Sequence, residues 1–143
     1  MCRAHATVRG LLGEIVGGAQ DIAIADMEAG LENFSRGTPR HADAVLTVLE
    51  PYYRSLETGA RVADLARELG VKRVQAVANK VRSPADAESI AAFCRSRGLE
   101  LIGTVPHDDA ILEADREGKA LLDHAPASAA VRAIQAIADR LLE

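Results

Sequence analysis

The run DIAIAD (residues 21–26) is apolar until it ends on Asp26, and Gly30 follows four residues later. If the run is a buried strand, Asp26 stands at its carboxyl end, the edge at which open α/β sheets bind ligands. A carboxylate there can hold Mg²⁺ directly or through water, because Mg²⁺ prefers hard oxygen ligands and keeps several waters. Gly30 would let the loop backbone approach a phosphate closely. The plainer alternative is a surface acid that merely ends the strand. A second set with ligand chemistry is Cys2 and His5. Cys-x-x-His places two metal-ligand types, a thiolate and an imidazole, close together. Its plainer alternative is a free thiol and a surface histidine near a terminus.

Other chemistries lack their residues. His107 and His124 form no second cluster at ligand spacing, and Cys94, beside Phe93 in a helical pattern, reads as a small core residue. No Ser/His/Asp set with the elbow arrangement is visible. Neither G-x-x-x-x-G-K-[ST] nor a K-G-G-x-G-K variant occurs in the 143 residues. RGLLGEIVGG (9–18) has glycines but no lysine, and GKA (118–120) lacks the upstream glycine and the hydroxyl residue.

The elements that would position these residues alternate. Four short apolar, β-branched runs read as strands covered on both faces: 21–26, 44–50, 73–79 and 99–105. Between them lie helical patterns. Leu56, Ala60, Ala63, Ala66 and Leu69 form one stripe, and Gly70 is placed to stop that helix. Ser83, Pro84 and Asp86 have the spacing of an N-cap, a first helical position and a capping box, for a helix ending near Gly98. Val131, Ile134, Ile137 and Leu141 share a face of a terminal amphipathic helix over 127–142. Alternation of this kind implies an α/β fold: a mostly parallel sheet, three layers deep, with helices on both faces. The least regular stretch, 27–43, carries Gly30, Gly37, Pro39, Arg36, Arg40 and His41. Long loops after strand ends are where such sheets usually bind ligands.

Length and composition set bounds. A chain of 143 residues suits one domain with a single core. Aromatics are 3%, too few for a base-stacking surface on single-stranded nucleic acid. The net charge is −4, with no basic block for a phosphate backbone, so no nucleic-acid partner is expected. No apolar run approaches the ~20 residues of a membrane helix, and no membrane partner is expected. Two distant cysteines imply no disulfide framework, and a cytoplasmic location is expected.

The residues also carry a family resemblance. IADMEAGLENFSRGT (24–38) resembles the switch region of MinD/ParA-type P-loop ATPases, in particular the CooC-type group that matures carbon monoxide dehydrogenase by nickel insertion. VLEPYYRSLETGARVADLARELGV (48–71) resembles the following strand and helix. AVANKV (76–81) resembles the strand whose Asn reads adenine, and IGTVPHDDAILEADREGKAL (102–121) the P-x-D loop beside the base. The resemblance implies an ATPase with ATP or ADP and Mg²⁺ as cofactors. Asp26 would be the Walker B-like acid, and Gly30 the glycine that senses the γ-phosphate. Asn79 would bond the adenine edge, with Pro106 and Asp108 in the loop next to it. From the residues alone, Asn79 and Lys80 equally fit a strand end. Pro106 equally fits a strand breaker, and His107 to Asp109 a helix cap.

MCRAHATVRGLL (1–12) resembles the segment just after the family's Cys-x-Cys pair. Cys2 would match the second cysteine, and the first would fall before Met1. In the family, two subunits together supply a metal site, so the resemblance implies self-association, nickel or zinc at a dimer interface, and a nickel-enzyme client. The missing phosphate loop is the departure. The chain looks like the carboxyl-terminal half to two-thirds of such an ATPase, a single partial nucleotide-binding domain over 1–143 without its first strand and phosphate loop. By resemblance that strand lies between the Asp26 run and the Val45–Leu49 run, so its loss leaves edges prone to pairing. Phosphoryl transfer depends on positioning and charge neutralisation, so the chain alone is expected to be inactive. The alternatives are a remnant of a partitioning or positioning ATPase that binds a protein partner, and a non-enzymatic α/β module.

Overall fold

The computed structural model describes residues 22–27 and 38–142. A 3-10 turn at Thr38–His41 leads into β1 (Ala44–Leu49), followed by α1 (Tyr53–Glu68) and β2 (Arg73–Val81). Next come α2 (Pro84–Ser96), β3 (Glu100–Pro106), α3 (Asp109–Arg116), the short α4 (Leu121–His124) and α5 (Ala129–Leu142). The strands form one parallel sheet in the order β1-β2-β3.

Local sequence accounts for most of these boundaries. Ser83 Oγ accepts the Asp86 N–H at 3.1 Å, and Asp86 accepts the Ser83 N–H at 3.1 Å, so the capping box starts α2 with Pro84 in its first turn. Gly70 and Gly98 stand at φ of +86° and +60° after α1 and α2, where a Cβ would be strained.

Three layers result. On one face α1 and α2 bury Leu56, Ala63, Ile90 and Cys94 against Leu49, Ala76 and Ala78. On the other, α5 buries Ala130 and Ile137 against Val77, Ile102 and Val105. Two glycines permit the close approach. A Cβ on Gly59 would sit 2.8 Å from Thr47 Oγ1 and nearer still to Leu49 Cδ2; one on Gly103 would meet Ile137 in the same way. Leu49 is fully buried, so its side chain shifts only at the expense of its own packing. Gly59→Ala is therefore expected to destabilise the fold by about 1–3 kcal/mol through overpacking, read as a lowered urea midpoint.

The run 21–26 departs from the expectation. Residues 22–27 form no strand, and Ile22 and Ile24 are 70% and 91% exposed. A β-branched apolar run suits a strand, but a strand needs a neighbour to complete its ladder, and no described strand pairs with this one. Met27 packs instead beside Val45, Ala66 and Val71, at the amino end of β1 and β2. Among the described residues β1 is an outer strand, with Leu46 and Val48 exposed on the face opposite α1.

Candidate functional site

Parallel strands bring all their carboxyl ends to one edge. At that edge a cleft of about 540 Å³ opens between the segments that leave the three strands. Glu50, Pro51 and Tyr52 follow β1. Asn79 and Lys80 lie near the end of β2, with Arg82 and Asp86 beyond. Pro106, His107 and Asp108 close β3, and Ile111 and Leu112 come from α3. The walls are mixed: Tyr52, Pro106, Ile111 and Leu112 supply apolar surface, and the Asn79 amide supplies both a donor and an acceptor.

Fixed groups hold the rim. Asp108 Oδ1 accepts the Ala110 N–H at 3.1 Å, capping α3, and Oδ2 accepts the Ala130 N–H at 3.0 Å, capping α5. One carboxylate thus ties two helix starts to the end of β3. The N–H groups of Ala130 and then Ala110 hold its pKa below the usual 3.8. A depressed carboxylate contributes stability that is fully present above 3.8 and is lost as the pH falls through the lowered value. Asp108→Asn keeps a capping oxygen but cannot titrate. It should flatten part of the acid limb of a melting-temperature profile taken below 3.8 while leaving the neutral region nearly level. On the β2 side, the His107 N–H donates to the Val81 carbonyl at 2.9 Å, and Lys80 Nζ meets Glu50 Oε1 at 2.9 Å.

Three of the residues singled out in the sequence, Asn79, Pro106 and Asp108, line this one cleft. Asp108 is also the helix cap that its spacing allowed. Asp26 is exposed and does not line the cleft. Gly30 and Cys2 lie outside the described residues. Glu50, Lys80 and Tyr52 were not among the sequence candidates; the signal available was their place just after, or at, a strand end.

The cleft's fit to a nucleotide is partial. An amide between apolar walls suits a planar heterocyclic base. For a metal, no group of three or more His, Cys, Asp or Glu side chains is gathered among the described residues. Burial raises the Cys94 thiol's pKa, as fits a core residue rather than a thiolate ligand. Also among the described residues, no helix is long and apolar enough to cross a membrane.

No family model matches the sequence. The chain is 42% identical over 127 residues to the carbon monoxide dehydrogenase accessory protein CooC of Rhodospirillum rubrum, covering 89% of this chain and 48% of that protein. It is 37% identical over 120 residues to an uncharacterised ATP-binding protein of Methanocaldococcus jannaschii, covering 83% and 46%. The chain thus spans about half the length of these relatives. Its fold superposes on the MinD cell division protein of Aquifex aeolicus with a TM-score of 0.79 at 20% identity, over 96% of this chain and 60% of that one.

Proposed function

The chain belongs with the MinD/ParA-type ATPases, and on that premise we propose that it binds an adenine nucleotide, with the base in the cleft at the carboxyl edge of the sheet. One observation carries this reading: Asn79, Pro106 and Asp108, from two strands and the loop after the second, converge on a single cleft. There the Asn79 amide faces the base edge, while Tyr52, Ile111 and Leu112 cover its faces. Asp26 and Gly30 are assigned to Mg²⁺ and the γ-phosphate by resemblance alone.

The phosphate grip is the weak point. Backbone donors and a lysine normally cradle the β- and γ-phosphates, and the 143 residues contain no such loop. Binding by this chain should therefore be weak, directed at the adenine end, and without measurable turnover. Titration with ATP, ADP and GTP, with a phosphate-release assay alongside, tests this. Adenine nucleotides should bind similarly to one another and better than GTP. Tight ATP binding, or equal binding of GTP, would contradict the reading.

From the resemblance, and with one relative named as a carbon monoxide dehydrogenase accessory protein, we further propose nucleotide-dependent insertion of nickel into a client enzyme in the cytoplasm, with Cys2 contributing to a metal site between two subunits. Among the described residues β1 is an outer strand with Leu46 and Val48 exposed, which supports self-association. Sedimentation velocity should show a coefficient that rises with concentration. Val48→Lys, which places a charge on that strand, should suppress the rise.

A further inference from the structure

The end of β2 is irregular where Asn79 stands. Ala78 pairs with Thr104 and Val81 with Pro106, so β2 takes three steps where β3 takes two. The extra residue lies at Asn79 and Lys80. On the other side, the pairing with β1 ends at Leu49 and Ala78. Lys80 has a φ of 54° and is the sole non-glycine residue with positive φ among those described. A left-handed conformation costs free energy for any residue with a Cβ, and such strain persists where surroundings enforce it. Bulges of this kind re-aim side chains, and they gather beside functional sites.

Lys80 also makes a contact between two strand ends. Lys80 Nζ lies 2.9 Å from Glu50 Oε1, linking the ends of β2 and β1. Glu50 is itself placed, since its N–H donates to Ser55 Oγ at 2.9 Å in the first turn of α1. The two side chains are 59% and 24% exposed, so the pair adds little to global stability. Its effect is local. It is made by the residue directly after Asn79, the one with φ of 54°.

We propose that Glu50 and Lys80 are positioning residues for base recognition: their ion pair holds Lys80 left-handed, and the resulting bulge turns Asn79 into the cleft, setting the preference for adenine over guanine. The specificity part rests on the cleft being a base site, as proposed above; the backbone part does not.

The test therefore has two arms on labelled full chain. In the first, without ligand, Lys80 backbone carbon shifts and the Asn79 side-chain amide resonances are compared among the parent, Glu50→Gln, and Glu50→Gln with Lys80→Gly. Glu50→Gln should move the Lys80 shifts away from left-handed values and displace the Asn79 amide signals. Glycine adopts positive φ without a Cβ penalty, so the double variant should return the Asn79 signals towards those of the parent. In the second arm, AMP and GMP are titrated. Glu50→Gln should lower the AMP-to-GMP affinity ratio by about three- to fivefold, as suits an exposed pair, and the double variant should recover most of it. If Glu50→Gln changes neither readout, or if glycine fails to restore the Asn79 signals, the proposal is overturned. Should the first arm behave as described while the parent does not distinguish AMP from GMP, the positioning device stands and the base-site reading fails.

Discussion

Ile90→Ala is expected to destabilise the protein by about 2–5 kcal/mol, the range for emptying a fully buried aliphatic site. Ile90 has no exposed surface and sits in α2 against the apolar cluster that joins Leu49, Leu56, Ala63, Ala76, Ala78, Cys94 and Leu99. Ala63, Ala76 and Ala78 are among the members of that cluster, and their short side chains cannot reach into the space. Domains of this size are stable by roughly 5–15 kcal/mol, so the loss is a large share of the total. The consequence reaches the cleft, because α2 packs on β2 and β2 carries Asn79 and Lys80. Ile90→Val removes one methylene and should cost about 0.5–1.5 kcal/mol. Urea denaturation of the two variants measures both values. Equal and small effects would mean that α2 does not anchor the sheet.

The second large effect is on recognition. Asn79→Ala should weaken AMP binding by about tenfold, the equivalent of one hydrogen bond at ~1.4 kcal/mol, and leave GMP binding nearly unchanged. An amide oxygen and an amide NH₂ together match a base edge that presents one donor and one acceptor. Alanine offers neither, while the apolar walls of Tyr52, Ile111 and Leu112 are untouched. Asn79 lies beyond the last β1–β2 pair and outside the buried clusters, so the variant should melt close to the parent. Isothermal titration paired with a thermal melt separates the two effects. A variant that binds AMP like the parent would remove Asn79 from the site.

The sequence carried the regular part of the fold legibly. The stripe from Leu56 to Ala66 and the capping box at Ser83 and Asp86 are local patterns, and the structure contains α1 and α2 with those faces and that start. Three of the four apolar runs are strands. The run ending at Asp26 has the same composition, yet its residues 22–26 stand exposed and unpaired. Strand character in a sequence states a fitness for pairing, and pairing depends on what lies alongside. The candidate site was legible in part through resemblance, which points to Asn79, Pro106 and Asp108, three residues that the topology brings to one cleft. The double cap by Asp108 was half legible, because the cap on α3 is local while the bond to Ala130 spans 22 positions. The left-handed Lys80 and its ion pair with Glu50 were not legible. Lysine at positive φ contradicts local preference, and the ion pair joins two separate strand ends.

Mapping an AMP titration onto the backbone amide resonances of the parent chain tests the base-site reading most directly. The account predicts that the largest shift changes fall on Asn79, Lys80, His107 and Ile111, with little change at Val45 or Val74 at the amino edge of the sheet. Changes centred on the amino edge, or no change at the four cleft residues as AMP is raised well above the level at which ATP binding saturates, would contradict it.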